Sequence, residues 1–179
     1  MIGLNVLFWI LVILFAFIGS MRGWAKELLV TFASILGLFI ITVLEKYVPF
    51  VRDNLVMNPT TSLFWFRAIV IGVLVFAGYQ TPNLPKLAET NRFARDRFQD
   101  LLLGVFLGAI NAVLIFGSIW WYMHQLEYPF DIISAPVAGT AAGDAALQIV
   151  KILPPSFLGA PVIYFAVAIA FAFLMVVFI

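Results

Sequence analysis

Apolar residues dominate the chain in five long runs, separated by short polar stretches. A helix needs about 17–25 predominantly apolar residues to cross the roughly 30 Å hydrocarbon layer of a bilayer. On that criterion, spans are expected at about residues 2–20, 27–44, 63–79, 101–123 and 161–179. The fourth is the cleanest. Trp120, Trp121 and Tyr122 close it, and such rings favour the headgroup level. The first run has no basic segment before it and no small-residue cleavage pattern after it, so it reads as a retained span rather than a leader. The last run reaches Ile179 with no polar residue to end it, which leaves room for a longer chain.

Two connections have patterns of their own. Over residues 84–100, apolar Leu84, Leu87, Ala94 and Phe98 alternate with Lys86, Arg92, Arg95 and Arg97 at near-helical spacing. This reads as an amphipathic helix lying in the interface; the alternative is a solvated loop with scattered apolar residues. Over residues 141–153, Asp144, Gln148 and Lys151 share a stripe that Pro154 and Pro155 terminate. That segment fits a surface helix or a shallow re-entrant one. The expected architecture is therefore all-α: a single polytopic transmembrane domain over residues 1–179, with about five spans and one or two interfacial helices.

Composition agrees. The 179 residues are 64% hydrophobic and 11% charged, against about 45–50% and about 25% in soluble domains. Lipid must be the solvent for much of that surface. A net charge of +1 calls for no nucleic-acid partner. The absence of cysteine excludes disulfides, thiolate metal sites and a thiol nucleophile. His124, the lone histidine, is a candidate metal or pigment ligand whose plainer reading is an interfacial hydrogen bond. The 19 phenylalanines suit lipid and apolar pigments alike, and no resident cofactor is expected. There is no phosphate-binding loop, nucleophile elbow, zinc-protease motif or dinucleotide fingerprint, so catalysis is not expected. The expected partners are the lipid bilayer and either other membrane subunits or a second copy of the chain.

Orientation follows from the basic residues. Arg22, Lys26, Lys86, Arg92, Arg95 and Arg97 flank one side, and Lys46, Arg52, Lys151 and Arg67 the other. The excess belongs in the cytoplasm, placing the N-terminus outside and the C-terminus inside.

Two spans carry organised faces. In the second, Glu27, Thr31, Ser34, Thr42 and Glu45 fall almost on one line of a 3.6-residue helix. Such a stripe is either a wall of a polar path for a solute or ion, or a set of hydroxyls bonded to their own helix and its neighbours. In the fourth, Gly104, Gly108, Asn111 and Ala112 form a thin face that lets another helix approach closely. The facing helix is either another span or another subunit, with Ala33 and Gly37 of the second span as a candidate surface. Arg67 lies inside the third span, where its expected course is to snorkel outward, the alternative being a buried pair with Glu45 or Asp53.

Gly19, Arg22, Gly23 and Glu27 form a G-x-x-R-G-x-x-x-E segment that resembles the one after the first span in the colicin V production (CvpA-like) family. Asp100, Gly104 and Gly108 are similar to that family's later D-R-x-x-G-x-x-x-G segment. The likeness covers roughly residues 1–123. Leu101 stands where the family has arginine, and Asn111-Ala112 where it has a basic residue and glycine. The family also generally has about four spans. The resemblance implies a small bacterial inner-membrane protein connected with colicin V production or export. The rival expectation is an accessory structural subunit of a larger respiratory or photosynthetic membrane complex. Independently of family, Gly23 suits a tight reversal, and Glu27 suits a helix's positive N-terminal end.

Overall fold

Gly23, at φ +83°, splits the first 47 residues into two helices, because glycine alone adopts that backbone without strain. A computed structural model describes residues 3–80 and 97–178. Helix α1 is Leu4–Arg22 and α2 is Trp24–Tyr47. A short α3, Pro49–Val51, runs into a π-helical turn, Arg52–Val56. Helix α4 is Thr61–Tyr79, its first turn capped by the Thr60 side chain. Helix α5 begins as Arg97–Ala112, widens into a π-helical stretch at Val113–Gly117 and finishes as Ser118–Gln125. Helices α6, Ala141–Val150, and α7, Pro154–Phe157, precede α8, Val162–Phe178.

Among the described residues, α1, α2, α4 and the continuous stretch Phe98–Gln125 are long and apolar enough to cross a membrane. The fifth run forms α8, which at 17 residues is shorter than all four. Among the described residues the five expected spans thus correspond to four helices of 19 residues or more and one apolar helix of 17. Most of the 84–100 segment lies outside the described residues; its end is the first turn of α5. The 141–153 segment is helical to Val150, with Ala146 and Val150 buried.

Helix α2 is the centre, packed against α4, α5 and α8, while α1 lies along α5. Trp65, Ile69, Val73 and Phe76 form an exposed apolar stripe on α4. Their spacing marks one helix face turned outward, as lipid contact requires. Lipid tails are as apolar as the side chains, so close packing must hold the helices together. The α1–α5 seam supplies it. A Cβ on Gly104 would overlap the Gly19 carbonyl oxygen, and one on Gly108 the Phe15 carbonyl oxygen. The glycine face of α5 is therefore filled by α1, within the chain. Ala33 and Gly37 face α4 instead, against Gly78 and Ile71.

The chain after α5 reverses through Glu127 and Tyr128, both at positive φ. It brings Leu153 and Pro154 against Gly117 of the π-helical stretch.

Candidate functional site

Two ion pairs sit at opposite ends of α2. The first is built at its start. Arg22, the last residue of α1, donates from Nη1 to Glu27 Oε1 at 2.6 Å. Its Nη2 donates to the carbonyl of Tyr79, the last residue of α4, at 3.3 Å. The guanidinium also stacks 4.2 Å from the Tyr79 ring centroid. A cation at a helix C-terminus and an anion in a first turn both complement the backbone dipoles.

Glu27 is fully buried, at 0% exposure. Asn111 Nδ2 of α5 donates to its Oε2 at 2.8 Å and to its carbonyl at 2.9 Å. The Asn111 Oδ1 accepts from the Thr31 hydroxyl at 2.7 Å. Asp100, in the first turn of α5, accepts from the Trp24 amide at 3.1 Å. That amide is one of the donors a helix start leaves unpaired, so Asp100 caps α2 from another helix. Gly23 packs against the same carboxylate. Gly19, Arg22, Gly23, Glu27, Asp100, Gly104, Gly108 and Asn111 thus meet in one knot joining α1, α2 and α5. Ala112, beside it, is fully buried. Among the described residues the buried Tyr79 hydroxyl has no hydrogen-bond partner.

The second pair is at the far end of α2. Arg67 of α4 donates from Nε and Nη2 to the two carboxylate oxygens of Glu45, at 2.6 and 3.1 Å. This forked geometry is the strong form of an arginine–carboxylate pair. Arg67 Nη1 donates to Gln125 Oε1 at 2.9 Å, and the guanidinium lies 4.6 Å from the Tyr122 ring centroid. Arg67 is 7% exposed. It does not snorkel: the buried alternative with Glu45 is the one formed, while Asp53 pairs with its neighbour Arg52. A cavity of about 330 Å³ adjoins this pair, lined by residues of α2, α4, α5 and the chain around α7.

No family model matches the chain, and no curated protein or solved structure matches it either.

The polar stripe of α2 therefore divides. Ser34 is buried and donates to the Val30 carbonyl, and Thr42 donates to the Leu38 carbonyl. Thr31 is engaged with Asn111, and Glu27 with Arg22 and Asn111. Only Thr42 and Glu45, of the five stripe residues, line the cavity. Arg67 is legible in sequence as a cation inside an apolar run. Gln125 and Lys46, which complete the polar lining, carry no such signal because both fall at helix ends.

His124 Nδ1 lies 3.2 Å from the Tyr128 hydroxyl, which also accepts from Trp120 Nε1 at 3.2 Å. Burial pushes the Tyr128 phenol up, partly offset by the Trp120 bond. Among the described residues no three His, Cys, Asp or Glu side chains group to hold a metal.

Proposed function

We propose that the chain is a CvpA-like protein of the bacterial inner membrane that assists export or envelope function without catalytic chemistry of its own. The observation that supports this is the convergence of the two segments that carry the resemblance. Gly19, Arg22, Gly23 and Glu27 lie far in sequence from Asp100, Gly104 and Gly108, yet Asp100 caps α2 at Trp24 and the glycines interlock directly. Two motifs that build a single contact have a physical reason to occur together. In this reading the Arg22 end faces the cytoplasm, the N-terminus is outside and the Arg67 end faces the periplasm.

The accessory-subunit reading rests on a glycine face free to receive a partner and on a Phe-rich surface, and exposed rings such as Phe76 and Phe106 suit lipid equally well. The glycine face is occupied by α1, so nothing favours a subunit over the export reading.

The test is complementation. In a bacterium deleted for its own CvpA-like protein, expression of this chain should restore colicin V secretion, and Gly104→Leu should abolish the rescue. Full accumulation in the inner membrane with no restored secretion would overturn the proposal.

A further inference from the structure

We infer that the cavity at the Arg67 end binds an amphiphilic anion: one carboxylate or phosphate group joined to an apolar body. The inference needs only this cavity and does not rest on the proposed export function. At about 330 Å³ the cavity falls within the range of small-molecule sites. Its walls are of two kinds. Leu38, Ile41 and Tyr122 are largely removed from solvent and give an apolar floor, while Lys46 and Gln125 stand exposed at the rim.

Charge selects the ligand's sign. The lining carries Glu45, Lys46 and Arg67. Both Glu45 oxygens accept from Arg67, so that pair is internally neutralised. Among the described residues Lys46 forms no ion pair; its ammonium lies 5.4 and 6.0 Å from the Tyr47 and Tyr164 ring centroids. The site therefore has one positive charge in excess. A guanidinium has five N–H donors, and the bonds to Glu45 and Gln125 use three of those on Arg67. Among the described residues the remaining two have no acceptor. A cation would meet the uncompensated Lys46 charge, and an uncharged apolar molecule would leave the polar rim without a partner.

The same chemistry occurs in an anionic lipid headgroup with its first methylenes and in a soluble short-chain carboxylate. Two measurements distinguish them. Octanoate is titrated calorimetrically into the purified chain in an uncharged detergent. Separately, the chain is reconstituted in nanodiscs of phosphatidylglycerol or phosphatidylcholine, and retained lipid is counted by native mass spectrometry. Lys46→Gln removes the unpaired cation from an exposed position and leaves the buried pair intact. Lys151→Gln, also exposed, controls for general surface charge.

Losing one charge-assisted contact should weaken binding about tenfold. A Lys46→Gln effect of that size on octanoate assigns a soluble amphiphile. The same effect on phosphatidylglycerol retention, with phosphatidylcholine retained less throughout, assigns the lipid. Absence of binding in both measurements would overturn the inference, as would Lys46→Gln and Lys151→Gln variants that behave alike.

Discussion

The two ends of α2 carry nearly the same chemistry in different settings. Each has a glutamate from α2 paired with an arginine from a neighbouring helix, an amide side chain from α5 and an aromatic ring beneath the guanidinium. At the Arg22 end these groups fill the space between helices, and Glu27 is wholly enclosed. At the Arg67 end the pair borders a cavity that reaches an exposed lysine. A buried ion pair is weak evidence for net stabilisation, but breaking one by removing a partner is costly. The enclosed pair thus ties three helix ends, those of α1, α2 and α4, to Asn111 of α5. The bordered pair adjoins a space that another molecule can occupy.

The two ends should differ most at their glutamates, beginning with Glu27. Glu27→Ala leaves the enclosed Asn111 amide without its carboxylate acceptor and takes the partner from Arg22, whose side chain is 20% exposed. The expected loss is about 3–5 kcal/mol, read as unfolding of the micelle-solubilised protein with increasing denaturing detergent. Glu45→Ala removes a carboxylate that is 19% exposed beside the cavity, so water can enter the space it leaves, and should cost less, about 1–3 kcal/mol. Equal losses at the two positions would erase the distinction. Gly108→Ala, by the same measurement, should cost about 1–3 kcal/mol, because the added methyl meets the Phe15 carbonyl rather than a movable side chain. The smallest contrast is in the hydroxyls. Thr31→Val removes a bond between helices and should cost about 0.6 kcal/mol, whereas Thr42→Val, whose bond stays within α2, should cost less.

The helices were legible because the bilayer demands long apolar runs, and the reversal at Gly23 was legible because few residues adopt its backbone. The partners were not. Gly104 and Gly108 show that one face of α5 is thin, but four-residue spacing carries no information about which helix fills it. Phe15 and Gly19 of α1 do so, whereas Ala33 and Gly37 of α2, one candidate surface, face α4. Arg67 looked able to snorkel because it is only one turn and a half from the start of α4. Its pairing depends on Glu45 lying at matching depth on the adjacent antiparallel helix, a matter of register. The union of Asp100 with Trp24 was illegible for the same reason, although each segment stood out alone. The cavity could not be read at all, since it depends on where the chain around α7 folds back.

The central claim is that the α2 stripe is closed around Ser34 and open at Thr42. The chain contains no cysteine, so single cysteines report accessibility without background. Ser34→Cys and Thr42→Cys, each in intact cells with a permeabilised outer membrane, are treated with a membrane-impermeant maleimide and scored by mass shift. Thr42→Cys is predicted to label and Ser34→Cys to remain unmodified until the protein is denatured. Labelling of both at similar rates, or protection of Thr42→Cys equal to that of Ser34→Cys, would contradict it.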